Sequence, residues 1–270
     1  VDKEVNGMNS VPIFNLEGEK VGEIELPRIF SMEVRPDVIR RTYLSQLTAR
    51  IQPQGRDPLA GLRTSAESWG AGHGVARVPR VKGRGHPAAS RAARAVMVVG
   101  GAKTTAPRSW KVIWERVNKR ERRLAILSAI AAASRLDLVK SRHRVDSLEH
   151  VPLVVEDSLE GVKKTSQVYS LLTKLGLKDE LDRAKKRFRK IRAGRGKMRG
   201  RLRQRARGPL IIYLNEGSPI ARAARNIPGV DIVALRNLSV IHLAPGGTPG
   251  RLTIWTEGAL RAVEEVMGLV

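Results

Sequence analysis

The stretch that decides the fold is Leu210-Ile211-Ile212-Tyr213-Leu214, then Pro219 to Asn226, then Val230 to Leu235. It reads as strand, short helix, strand. An unbroken apolar run marks a strand covered on both faces, and a helix between two such runs makes them parallel neighbours. Val240-Ile241-His242-Leu243 follows as a short third run of the same kind. Leu252-Thr253-Ile254-Trp255 then leads into a final helix from Glu257 to Met267.

Working outward, Val151-Pro152-Leu153-Val154-Val155 is another buried-type strand. Val168, Leu171, Leu172 and Leu175 share one helical face, and Gly176 stands where a helix ends. A further helix starts near Lys178, carries Leu181, Ala184, Phe188 and Ile191 as its stripe, and ends by Gly194. Upstream, Glu115 to Leu136 is helical, with Val117, Leu124, Leu127 and Ala131 inward. Val11 to Leu16 and Lys20 to Leu26 flank Glu17-Gly18-Glu19 as a hairpin. Pro36-Asp37 opens a helix with Ile39, Tyr43 and Leu47 on its inner face, fading before Pro53. The expected fold class is α/β. It is a three-layer α/β/α arrangement with a mainly parallel sheet, plus a long extended loop and a basic extension.

The 270 residues suffice for a sizeable core, and 41% are hydrophobic. With 4% aromatics, that core is aliphatic. The absence of cysteine excludes disulfides, a cysteine nucleophile and thiolate metal sites, and fits a reducing compartment. No apolar run approaches the ~20 residues that cross a bilayer, so no membrane association is expected. The polar start Val1-Asp2-Lys3-Glu4 does not read as a secretory signal.

The net charge is +24, and it is concentrated. From Ser68 to Trp114 there is no acid, but there are Arg77, Arg80, Lys82, Arg84, Arg91, Arg94, Lys103, Arg108 and Lys111. From Arg183 to Arg207 there is again none, against fourteen basic residues that include Arg195, Lys197, Arg199, Arg201, Arg203, Arg205 and Arg207. The remaining 198 residues are almost neutral, with 27 basic and 26 acidic side chains. A solvated helix face alternates its charges; these windows do not, so they point to a polyanion.

Residues 54–109 hold nine glycines and four prolines with no helical or strand period. So long a structureless stretch is uncommon inside a compact domain, and the expectation is an arm ordered by its partner. The expected division is therefore a body of residues 1–53, 110–182 and 208–270, a loop over 54–109 with its tip near 69–80, and a basic extension over 183–207.

An enzymatic reading finds little support. No phosphate-binding loop is present: at Gly196-Lys197 the hydroxyl position is Met198. Gly70-Ala71-Gly72-His73-Gly74 follows no strand and opens no helix, so it fails as a dinucleotide loop. The five histidines form no metal-spaced pair. Glu156 and Asp157 follow a strand and read as helix-capping acids. No catalytic residue, metal or cofactor is expected.

Arginine dominates both basic windows, and guanidinium grips phosphate bidentately and stacks on bases. Interspersed glycine lets backbone approach a sugar–phosphate chain closely. These features suit folded RNA better than duplex DNA, for which no recognition-helix pair is evident. Trp69 either packs on its own arm or stacks on a base.

Leu62-Arg63-Thr64-Ser65-Ala66-Glu67-Ser68-Trp69-Gly70, Val75-Ala76-Arg77-Val78-Pro79-Arg80-Val81 and Ala193-Gly194-Arg195-Gly196-Lys197-Met198-Arg199-Gly200-Arg201 form a specific combination. With Asn226-Ile227-Pro228-Gly229 and Leu243 to Glu257, it resembles the L-four family of large-subunit ribosomal proteins in its archaeal and eukaryotic form. The resemblance implies a structural constituent of the large subunit that binds ribosomal RNA, with a loop lining the constriction of the peptide exit tunnel. By residue match, the tunnel-lining tip is Trp69, Gly70, Ala71, Gly72, His73, Gly74 and Val75. Arg63 and the basic residues named above are the RNA contacts, those of the second window from Arg195 onward. The family often has an aromatic after Arg-Gly-Arg; here Leu202 stands there. Bacterial relatives carry a basic residue near the tip, where this chain has Ala71 and His73.

The implied partners are large-subunit ribosomal RNA, neighbouring ribosomal proteins and, near the tip, the nascent peptide. The implied location is cytoplasmic, in the large subunit, and homo-oligomers are not expected. Composition alone equally suits a free-standing nucleic-acid chaperone or compactor. A nucleotide-dependent enzyme on the C-terminal sheet is a third reading.

Overall fold

The computed structural model describes residues 10–268; the start Val1-Asp2-Lys3-Glu4 lies outside them. Thr48–Trp114 forms one compact unit, and the rest of the described chain forms the other.

The second unit is the α/β body. Its strands are β1 (Ser10–Phe14), β2 (Lys20–Glu25), β3 (Leu153–Val155), β4 (Leu210–Tyr213), β5 (Asp231–Ala234) and β6 (Thr253–Thr256). They form one sheet in the order β2-β1-β3-β6-β4-β5. Only β2 runs antiparallel, as the second arm of the N-terminal hairpin. The others pair in parallel, with β6 between β3 and β4.

Alternation along the strands assigns each residue to a face. Leu153, Val155, Ile211, Tyr213 and Ile254 enter one apolar core. Val154, Leu210, Ile212 and Trp255 enter the other. The first core is closed by α3 (Leu136–Lys140), α4 (Thr165–Leu172), α5 (Lys178–Arg189) and α6 (Ile220–Arg225). The second is closed by α1 (Pro36–Thr48), α2 (Lys119–Ala133), α7 (Val240–Leu243) and α8 (Glu257–Val266). Helices on both faces of a mainly parallel sheet make the three layers that the sequence predicts.

The elements differ from expectation in several places. Of the apolar stripe predicted for α5, Leu181 and Ala184 are buried, but Phe188 is 38% exposed and Ile191 is 58% exposed beyond the helix end, because Lys190 takes an extended backbone and stops the helix at Arg189. Val240–Leu243 is the helix α7, not a strand-like run. Four residues are too few to separate a period of 2 from one of 3.6, and the turn closes through the Ser239 hydroxyl, 2.9 Å from His242 Nδ1. The helix predicted from Glu115 starts at Lys119, because Asn118 takes an extended backbone at its N-cap. On α1, Ile39, Thr42 and Ser45 are buried while Leu47 is 40% exposed, so the inner face is rotated from the expected one. The helix ending at Leu172 continues through a single wide turn to Gly176, whose φ of 80° breaks it as predicted.

Candidate nucleic-acid interface

Thr48–Trp114 has no helical period and few side chains large enough for a core; Ala66 is its only wholly buried hydrophobic residue among those described. Backbone pairing holds it instead. Glu67 and Arg80 exchange both hydrogen bonds, at 3.0 and 2.9 Å, closing the tip. Val81 N–H donates to Arg91 (2.9 Å), Ala93 to Pro79 (2.8 Å), Ala102 to Arg94 (3.2 Å) and Arg56 to Pro107 (3.0 Å). The two runs approach closely at Gly61, where φ is +85° and a Cβ would lie 2.5 Å from the Gly101 carbonyl. Only glycine fits there.

Between the paired ends lies the predicted tip. Gly70, Gly72 and Gly74 all have positive φ. Trp69 is 45% exposed, with the Arg80 guanidinium 5.3 Å from its ring centroid and the His73 ring 6.0 Å away. It therefore touches its own arm and also presents surface to solvent. Arg80 is half-buried and donates to the Ser90 carbonyl at 3.0 Å. Arg63 forks onto Asp57, and Lys82 pairs with Glu67 at 2.5 Å. Arg77, Arg84, Arg91, Arg94, Lys103 and Lys111 are exposed with no carboxylate partner among the described residues. Arg108 is exposed and lies over the Trp110 ring at 5.5 Å.

The second basic segment belongs to the body. The sequence around Gly194–Arg201 lacks the apolar content to fold alone, and it closes through backbone pairing. Arg192 N–H donates to Leu202 at 2.8 Å, and Ile191 bridges Arg203. A 3-10 turn, Arg195–Arg199, forms the bend. Arg203 lies over Phe188 of α5 at 5.6 Å. Arg195, Lys197, Arg199, Arg201, Arg203 and Arg205 are all exposed. Arg207 is exposed too but tied to Asp231 at 2.8 Å.

Buried polar groups brace this segment, and sequence reading did not find them. Wholly buried Glu180 accepts from His143 Nδ1 (2.6 Å), Arg183 Nε (2.7 Å) and Arg144 N–H (3.1 Å). Burial alone would raise its pKa; Arg183, His143 and the amide outweigh it and hold the carboxyl at about 2. Wholly buried Arg251 bonds Asp231 (2.6 Å), the Gly208 carbonyl (2.9 Å) and the His242 carbonyl (2.7 Å). Burial opposes the Asp231 charge, but Arg251 and Arg207 hold its pKa below the usual range. Only the i,i+3 spacing of Glu180 and Arg183 is local; the other partners of Glu180 and those of Arg251 lie nine or more residues away in the chain and leave no local signal.

The carboxyl ends of parallel strands are where open α/β sheets usually bind ligands. Here the chain's own Glu160 carboxylate sits at the ends of β4 and β6. It accepts from Leu214 N–H (2.8 Å), Asn215 Nδ2 (2.9 Å), Ser218 Oγ (3.0 Å) and Thr256 Oγ1 (3.2 Å). Next to it, Asp157 accepts from Gly258 N–H at 2.8 Å and so caps α8, the capping role predicted from sequence. Glu156, also expected to cap, does not: its carboxylate accepts from the Ser158 hydroxyl at 3.1 Å, and the 3-10 turn it precedes has no side-chain cap. Among the described residues no His, Cys, Asp and Glu cluster is arranged to hold a metal, and no helix is long and apolar enough to cross a membrane.

Sheet ends satisfied by the chain's own carboxylates and two exposed cationic segments make this an α/β protein that presents positive charge. Comparison with known proteins agrees. The profile of the Ribosomal protein L4/L1 family matches residues 24–266. The chain is 52% identical over 258 residues to the large ribosomal subunit protein uL4 of Methanopyrus kandleri, covering 95% of this chain and 98% of that one. It is 50% identical over 253 residues to uL4 of Methanocaldococcus jannaschii, covering 94% and 97%. It is 50% identical over 259 residues to uL4 of Saccharolobus islandicus, covering 95% and 94%. The chain belongs to the Ribosomal protein L4/L1 family, a family of structural proteins and not of enzymes.

Proposed function

We propose that this chain is a structural constituent of the large ribosomal subunit that binds ribosomal RNA through two polycationic segments. Residues 54–109 form the RNA-penetrating loop. Its tip, from Trp69 to Val75, lines the constriction of the peptide exit tunnel and meets the nascent peptide. Residues 183–207 dock on RNA as a second surface. Neighbouring large-subunit proteins contact the body, the chain does not form homo-oligomers, and the particle is cytoplasmic. The observation that carries this reading is the separation of charge. Almost the whole net charge of +24 sits in two acid-free windows, while the 198 residues outside them are close to neutral. Such windows neutralise phosphate and let RNA segments pack closely.

A sucrose gradient of native lysate, with RNA cross-linking of each fraction, tests it. Co-sedimentation with the large subunit that survives moderate salt, with cross-links to its RNA from both windows, is the expected result. A free pool cross-linked to diverse RNA and DNA would establish a nucleic-acid chaperone instead.

A further inference from the structure

Three of the four tryptophans lie in Thr48–Trp114, and the fourth, Trp255, is wholly buried in the body. Trp110 is the most exposed of them, at 64%. The Arg108 guanidinium stands 5.5 Å from its ring centroid, Lys111 follows it in the chain, and Val112 beyond is 85% exposed. Nothing about this indole serves a core. It carries a cation over its ring, and no acid lies between Ser68 and Trp114 in the sequence to balance that cation. The same pairing recurs at Trp69 with Arg80 and at Phe188 with Arg203, always within or beside a basic window.

We propose that Trp110 is a stacking platform for an unpaired RNA base, with Arg108 closing the opposite face of the ring. This rests on the RNA-binding reading and specifies what it binds. A single nucleotide carries what these side chains complement: a flat π-face for the indole and a phosphate for Arg108 or Lys111. A base within a duplex keeps both faces stacked, so the ligand is a nucleotide in a loop or bulge.

The test uses the full chain and two labelled RNAs with equal phosphate counts, a hairpin with an unpaired purine loop and a blunt duplex. Trp110→Ala should weaken hairpin binding roughly 5- to 150-fold, the range expected for losing one base–aromatic stack. Duplex binding should change less than about twofold, since no stack is formed there. Trp110→Phe should retain most of the affinity, while Trp110→Leu should behave like Trp110→Ala. The salt slope should be the same for all, because stacking releases no counterions. Thermal unfolding should not shift, since the residue is exposed. Three results overturn the proposal: parental hairpin affinity in Trp110→Ala, equal losses on both RNAs, or parental affinity in Trp110→Leu. Unchanged RNA binding with lost binding to phosphatidylserine–phosphatidylcholine vesicles would instead assign the indole to a lipid surface. If the parent chain binds neither RNA, the RNA-binding reading fails and the proposal with it.

Discussion

Glu180 shows how single buried residues position a cationic surface that they never join. Its carboxylate ties His143, Arg144 and Arg183 to the start of α5, the helix that leads into the basic hairpin. Removing one partner from a buried charge cluster costs about 3–5 kcal/mol, because the remaining groups lose water and gain nothing. Glu180→Ala should lower the unfolding free energy by that amount in denaturant titrations. Arg183→Ala, whose side chain is 25% exposed, should cost less, about 1–2 kcal/mol. Acid acts on the same group. The folded carboxyl lies at about 2 against an ordinary 4.5, so the unfolded chain binds the proton more readily. The stabilisation is therefore complete above the ordinary value and is lost as pH falls from about 4.5 to 2. A shift of that size corresponds to roughly 3 kcal/mol. Asp231 and Glu160, both depressed, steepen the loss in the same direction. Unfolding midpoints measured between about pH 6 and pH 3 should fall steeply in the parent and less steeply in Glu180→Gln.

At the scale of elements, the contrast is between helices and strands held by apolar faces and segments held by backbone. Gly61→Ala should separate the two runs at Gly101, since both the positive φ and the approaching carbonyl are fixed backbone. The strain of an L-residue there is about 1–2 kcal/mol before any clash. Trypsin cleavage within 56–108 should therefore accelerate about tenfold, while the denaturant midpoint of the body stays unchanged. Gly70→Ala, equally strained but facing open space, should have a smaller effect. Legibility in the sequence follows the same contrast. The α4 stripe of Val168, Leu171, Leu172 and Leu175 and the runs at 153–155 and 210–213 are visible because burial imposes a period. The α7 turn is not, being shorter than two periods. Nor are the pairings of Val81 with Arg91 or Arg192 with Leu202, which leave no trace in residue type. Of the candidate interface, the charge was legible residue by residue. Its geometry was not: nothing in sequence tells that Arg207 and Lys82 hold internal carboxylates while Arg77 and Arg84 stand free of them.

At the scale of the whole molecule, charge separation sets how binding responds to salt. A chain making ~10 phosphate contacts should show a log–log salt slope of about −7 to −9 with RNA. Filter binding or anisotropy across a salt series measures it. A slope shallower than about −3 would mean that the two windows do not neutralise phosphates together. Neutralising Arg77, Arg84 and Arg91 should reduce the slope by about 2–3, roughly one per contact, without changing the stability of the body.

The place of β6 in the sheet has a consequence for the order in which the chain is made. Thr253–Thr256 is the last of the six described strands in chain order, yet it is the strip that joins β1–β3 to β4–β5. Until it has been synthesised and released, the sheet exists as two unjoined parts, and both cationic segments are already outside. A newborn chain thus displays its polyanion-seeking charge before its body can close.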